Sequence, residues 1–281
     1  MSTTAAELFS GEDPARYSPR LEIRRMRAAQ LSQPVRPSRS LIICTNPRTG
    51  SWMLCTALAQ TSVAGYPSEY LIPWDEGDWS ALWNVSGYPE FLDAMKLEGT
   101  SPNGVFSAKV MWGHIGHLLD RVRGVPRYDS LGPAELLPQV FPDPSYVWLS
   151  RRDTLAQAVS HARAISSGTW AVGAEDDGGE AKDGRSFDLD LIRKLHAEVL
   201  EQEEQWQRLF DASPVKPLHL WYEDLVEDYE GSIRKVLDHA GLALPAGQSI
   251  PQPRVRRQSA TAGDEWLHEA RRLSAMGGAD W

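Results

Sequence analysis

The chain has 281 residues, is 42% apolar and carries a formal net charge of -9. That length supports one substantial core and is short for two full domains. The acidic balance argues against a general nucleic-acid binder, which needs surplus Lys and Arg to neutralise phosphate.

Residues 1 to 38 are rich in charge, Pro and Ser and read as an N-terminal extension with a loose attachment. Within it LEIRRMRAAQL has the composition of a short helix. The opening MSTTAAELFSGEDPARY carries acids and no apolar segment, so it is not a secretory signal. No apolar run reaches the ~18 residues of a membrane span. Cys44 and Cys55 match no zinc spacing and no CxxC pattern. A cytoplasmic protein with two reduced thiols is the expectation.

Residues 39 to 281 read as a single domain. SLIICT predicts a buried strand, and SWMLCTALAQT predicts a helix directly behind it. GYPSEYL is a loop, and a tryptophan-rich stretch runs from Trp74 to Trp83. PEFLDAMKLEG predicts a helix, PNGVFSAKVMW a turn and then a strand, and GHIGHLLDRVR another helix. SYVWLS is the next buried strand, with TLAQAVSHARAI a helix after it. GAEDDGGEAKDGRS is a polar, glycine-rich loop. From Phe187 to Phe210, Leu191, Leu195, Val199, Trp206 and Phe210 recur at near-helical spacing and predict a long amphipathic helix. PLHLWY is a strand and EGSIRKVLDHAGL a helix. PRVRRQSATAGDEWLHEARRL is a basic loop followed by a helix. Strand-helix alternation implies an α/β fold with a mainly parallel sheet, whose ligands bind outside the carboxyl ends of the strands. Most of the 11 tryptophans are expected in the core or a pocket wall.

CTNPRTGSW, residues 44 to 52, sits at one of those strand ends. A helix N-terminus there offers unpaired N–H groups, Gly50 permits close approach, Thr49 and Ser51 add hydroxyls, and Arg48 adds a planar donor fork. Together they describe an anion site; an ordinary turn before a capped helix is the plainer reading. The P-loop pattern GxxxxGK[ST] is absent, since Ser51 rather than Lys follows Gly50. At the end of SYVWLS, Arg151 or Arg152, with Ser160 two turns along the next helix, are placed to grip a phosphate or simply to cap and decorate that helix. Arg254, Arg256, Arg257 and Gln258 form a third basic cluster. His114 and His117 suggest a metal pair, but no third ligand stands at a sensible spacing, and no metal is expected.

These stretches, taken in order, resemble the PAPS-dependent sulfotransferases. NPRTGSWML resembles their 5′-phosphosulfate loop, WLSRRDTLAQAVSHARA their 3′-phosphate segment, and WYEDLVED a strand-end motif of bacterial members. More narrowly, VAGYPSEY, NGVFSAKVMW, RRDTLAQAVSHARA and RRQSATAGDEW resemble the Stf0 sulfotransferases, whose best-known activity is trehalose 2-sulfation. The likeness covers roughly residues 40 to 275. It implies a P-loop-like three-layer fold, a homodimer, PAPS as sulfuryl donor with PAP as product, and a small carbohydrate hydroxyl as acceptor. Carried over residue by residue, Arg48, Thr49, Gly50, Ser51, Trp52, Arg151, Ser160, Arg257 and Gln258 would bind the nucleotide. Arg48 would stabilise the leaving phosphate, and Glu69 would take the acceptor's proton, with His114 as the other candidate base. Tyr66, Lys109 and Trp112 would contact the acceptor, and Tyr70 and Trp170 are further wall candidates. Trp52 stands where a hydroxyl is common, and Tyr66 where the family has a glutamate. Those departures leave room for a secondary-metabolite acceptor. A nucleotide-binding regulatory protein with a degenerate site is the reading from another class.

Overall fold

A computed structural model describes residues 17–31, 33–125, 128, 130–175, 187–255 and 260–277, with no side chains described at 260–264 or 276–277. Four strands carry the architecture: β1 (Arg39–Thr45), β2 (Val105–Met111), β3 (Pro144–Ser150) and β4 (Leu218–Trp221). They form one sheet in the order β2-β1-β3-β4, parallel at every pairing. The central strand β1 is buried from Ser40 to Thr45, as its unbroken apolar run requires when both faces are covered.

The layers follow from the strand pleat. Ile42, Cys44, Phe106, Ala108, Tyr146 and Trp148 face one side. There they meet α3 (Glu76–Trp83), α4 (Tyr88–Glu98), α5 (Ile115–Val122), α6 (Pro133–Val140) and α8 (Leu189–Ala212). Leu41, Ile43, Val105, Val147 and Leu149 face the other. They pack on α2 (Ser51–Thr61), α9 (Tyr222–Glu227) and α10 (Tyr229–His239). Two further helices, α7 (Thr154–Ser167) and α11 (Ala260–Gly277), share a smaller core with α8 around Val159, Ile192, Leu195 and Trp266.

The N-terminal segment corrects one expectation. Its helix α1 (Pro19–Gln30) is packed against α2 rather than loosely attached. Ile23 is buried with Cys55, Ala59 and Tyr66. Arg20, Arg24 and Arg27 lie at i, i+4 and i+7, so they share one helix face. That face meets acids: Arg20 pairs with Asp75, and Arg24 and Arg27 both reach Glu98.

Three elements escape the sequence patterns. The tryptophan stretch contains α3, whose Trp79 and Trp83 stack on each other 4.7 Å apart. The helix α6 carries Pro138 inside it, and α9 has only six residues. Residues 176–186 of the polar loop fall outside the described set.

Candidate functional site

A cleft of about 720 Å³ opens at the carboxyl end of β1 and β2. Arg48, Ser51, Trp52, Glu69, Lys109, His114 and Trp170 line it, together with Tyr17, Arg20, Trp74, Asp75 and His161.

One wall is the loop between β1 and α2. Its backbone is tightly specified. Arg48 sits at φ 69° and Gly50 at φ 76°, both left-handed. For Arg48 that conformation costs about 1–2 kcal/mol, and such strain collects at functional sites. A side chain at Gly50 would force a shift, because a Cβ would lie 2.7 Å from the Tyr222 ring. Neighbouring elements hold the loop residue by residue. Asn46 donates to Glu203 at 2.8 Å, Gln157 donates to the Pro47 carbonyl at 2.8 Å, and Arg151 donates to the Arg48 carbonyl at 3.4 Å. Glu203 also accepts from Ser150 at 2.6 Å, so one partly buried carboxyl ties the ends of β1 and β3 to α8. Burial pushes that carboxyl above its usual range, against the hydrogen bonds that lower it.

Arg48 turns its guanidinium toward α7. Nε donates to the Ser160 hydroxyl at 3.0 Å and an NH₂ group donates to the Trp170 carbonyl at 2.5 Å. Burial, and then the charge of Arg151, pull the Arg48 group down to about 10; Arg163 adds to the effect. The Arg48 guanidinium thus feels two further positive charges. Like charges gathered in a partly dry site fit an anionic ligand, which would relieve their repulsion.

The two arginines after β3 separate in role. Arg151 lies over the Tyr222 ring, 4.7 Å from its centroid, and faces the loop. Arg152 points outward and pairs with Asp224 through two bonds of 2.7 and 2.8 Å. Glu223 accepts from the backbone N–H groups of Arg152 and Asp153. The WYEDLVED segment therefore braces the turn after β3.

Across the cleft, Glu69 stands on the loop after α2 and is 9% exposed. Lys109 Nζ lies 2.6 Å from its Oε1, and Arg20 lies 3.9 Å from its Oε2. Lys109 sits within β2, is 3% exposed, and its ammonium lies 3.5 Å from the Trp52 ring centroid and 3.4 Å from Ser51 Oγ. The loop is fastened to β2 by the Lys109 N–H donating to the Ser68 carbonyl and by the Ser107 hydroxyl donating to the Ala64 carbonyl. Gly65, at φ 74°, is required there because a Cβ would collide with the Ser107 backbone at 2.7 Å.

Several expected site residues point elsewhere. The Thr49 hydroxyl is fully buried on Thr45 and the Asn46 carbonyl, which leaves its hydroxyl no path to a ligand. Tyr66 is fully buried against α1 and α2 and does not line the cleft. Trp112 packs edge-on to Trp206, outside the cleft lining, and Tyr70 is buried in the core with its ring tilted against Trp79. His117 pairs with Glu76 at 2.9 Å rather than with His114. Among the described residues no cluster of three or more His, Cys, Asp or Glu is arranged to hold a metal, and no helix is long and apolar enough to cross a membrane. Arg254 bonds Gln60, while Arg256, Arg257 and Gln258 lie outside the described residues.

Other residues in the cleft or behind its loop carry signals that a sequence pattern expresses weakly. Glu203 occupies the apolar stripe of α8 between Val199 and Trp206, where a charged residue is out of place. His161 follows Ser160; burial and the Arg48 charge pull its imidazole down to about 4. His114 is also lowered, chiefly by burial, although Glu69 opposes the shift. Trp74 is 72% exposed and edge-on to His114.

An all-parallel three-layer α/β fold, with an arginine-bearing loop facing a carboxylate across one cleft, has the equipment of a group-transfer enzyme. The chain belongs to the Stf0 sulphotransferase family, whose model matches residues 40–272; it is a sulfotransferase. Among individual relatives, trehalose 2-sulfotransferase of Mycolicibacterium smegmatis is 28% identical over 261 residues, covering 82% of this chain and 94% of that one. Trehalose 2-sulfotransferase of Mycobacterium tuberculosis is 25% identical over 268 residues, covering 86% and 96%. The solved sulfotransferase STF9 from Mycobacterium avium covers 92% of this chain and 73% of its own, at 14% identity and a TM-score of 0.44.

Proposed function

We propose that this sulfotransferase moves a sulfuryl group from PAPS to a hydroxyl of a carbohydrate of the trehalose type, with Glu69 as the base. The observation that carries the reading is the single cleft shared by Arg48 and the Glu69–Lys109 pair. The donor set fits the nucleotide. Arg48, Ser51 and the α2 N-terminus suit a phosphosulfate, and Arg151 and Ser160 suit a 3′-phosphate. When bound, PAPS supplies the sulfuryl group and leaves as PAP.

In-line transfer needs positioning and stabilisation of the charge that builds on the leaving oxygen. Arg48 provides a fixed cation for that oxygen. Glu69 accepts the acceptor's hydroxyl proton as its oxygen bonds to sulfur, and a carboxylate is an adequate base for a late proton transfer. Lys109 anchors Oε1 of that carboxylate and offers its charge to the sulfuryl oxygens. Trp52 and Trp170 frame the cleft with faces on which a sugar ring stacks.

A second reading keeps PAPS and replaces the sugar by a secondary metabolite with an apolar or aryl group. The exposed Trp74 and the apolar Ile72 and Met111 in the lining favour it. In either case the enzyme is taken as a single catalytic domain in the cytoplasm and, as the family likeness suggests, a homodimer.

Incubation of the purified protein with labelled PAPS and a panel of disaccharides and cell extracts, followed by identification of the labelled product, separates these readings. Binding of PAP with no transfer to any acceptor would mark a nucleotide-binding regulator instead. Glu69→Gln should bind PAP normally and lose roughly 100-fold or more in turnover. A pH-rate limb that disappears in His114→Asn, with Glu69→Gln active, would move the base role to His114.

A further inference from the structure

We propose that Arg20, in the N-terminal segment that precedes the family-matched residues, is a positioning residue for the Glu69 carboxylate, held in place for that task by Asp75. The inference rests on the reading of Glu69 as the base.

Glu69 lies on a loop without regular structure, so its side chain needs outside support. Its two oxygens are treated differently. Oε1 is taken by Lys109 at 2.6 Å. Oε2 faces Arg20 at 3.9 Å, beyond hydrogen-bond length. Arg20 makes its short bond, 2.6 Å, to Asp75 instead. The arrangement has a chemical consequence. Oε2 has a guanidinium within ion-pair distance, and that guanidinium is tethered elsewhere. An acceptor hydroxyl can therefore approach Oε2 without displacing a bonded partner, while the nearby charge keeps the carboxylate turned into the cleft.

The tether is built rather than incidental. Arg20 is only 8% exposed and Asp75 6% exposed, and both line the same cleft as Glu69. Asp75 closes the short turn Pro73–Asp75 and is the N-cap residue of α3, and Arg20 is presented by the second position of α1. The packing of Ile23 and the pairing of Arg24 and Arg27 with Glu98 fix α1, and so fix Arg20. The reaction centre is thus completed by a helix from outside the family-matched span.

The test uses the full chain, labelled PAPS and trehalose, or the panel sugar that carries the label if trehalose does not. Arg20→Met should lower kcat at least ~10-fold, a fraction of what general-base catalysis supplies. It should leave the acceptor KM within about two-fold of native, because the proton transfer and not ground-state binding depends on it. Thermal stabilisation by PAP should be unchanged. Arg20→Lys should recover most of the rate. In a Glu69→Gln background, Arg20→Met should add no further loss, the mark of two residues acting as one unit. Equal losses in both backgrounds would mean that Arg20 merely holds α1, and would overturn the proposal. So would native kcat in Arg20→Met. If Glu69→Gln were itself fully active, the base reading would fall; a loss in Arg20→Met would then show Arg20 acting without Glu69, which also overturns the proposal. Should Arg20→Met not fold, Asp75→Asn takes its place: the weakened tether should lower kcat in the Glu69 background and not in the Glu69→Gln background.

Discussion

Glu203 offers a sharp test of how the anion loop is held. Replacing it by Met keeps the length and removes both acceptors. The Asn46 amide and Ser150 hydroxyl, each on a fully or almost fully buried residue, lose their partner. A buried donor left unsatisfied costs about 1–3 kcal/mol, so two cost about 2–6 kcal/mol. Removing the carboxyl also removes its own burial penalty, which exceeds the gain from its hydrogen bonds, since the group is raised above its usual range. The net loss should be about 2–4 kcal/mol. At roughly 2–4 °C per kcal/mol for a chain approaching this size, the melting midpoint should fall about 5–15 °C. The pH dependence has a definite sign. An acid raised by folding binds protons more readily in the native state, so its contribution to stability falls as pH rises from the unfolded value of about 4.5. Glu203→Met should lack that decline, and its deficit should therefore narrow from pH 5 to pH 8. Circular-dichroism melts at the two pH values measure both quantities. A variant melting within 2 °C of the native chain at both would refute the claim that this carboxyl ties the loop to α8.

Arg48→Ala should lower turnover on the order of 100-fold while weakening PAP binding much less, as steady-state and binding measurements will separate. Gly50→Ala should cost about 2 kcal/mol in a denaturant titration, from its left-handed backbone and the Tyr222 contact, and should weaken PAP stabilisation because Tyr222 supports Arg151. His161 is held neutral down to about 4. The unfolded chain takes up that proton first, so native stability should drop as pH falls from ~6.5 toward 4, by up to about 3 kcal/mol, and His161→Asn should lose that component of the slope in melts across the range.

Periodicity made the sheet strands and most helices readable, because each buries a stripe that its own neighbours in sequence define. The stretch 51 to 61 is α2 to the residue, and 145 to 150 lies within β3. It failed where apolar residues ring the helix, as in α3, or where Pro interrupts it, as in α6. The site was legible at the level of segments and not of side-chain direction. Arg48, Ser51, Trp52, Glu69, Lys109 and His114 all reach the cleft. Thr49 and Tyr66 stand one and three residues from such positions yet point away, one into a hydroxyl pair with Thr45, the other under α1. Arg20 was invisible because its partners lie about fifty residues further along the chain.

The strand order has a temporal consequence. The central strand β1 is made early, yet its two neighbours begin at Val105 and Pro144, so each of its edges waits for a strand at least sixty residues further along the chain. Closing such long loops is entropically slow, and contacts of this kind delay folding. Arg48, Glu69, Lys109 and Ser160 come from four separate stretches that meet only when those pairings exist. Neither pairing alone brings them together, so recovery of transfer activity after dilution from denaturant is a clock for the assembly of β2, β1 and β3, running later than the appearance of helix.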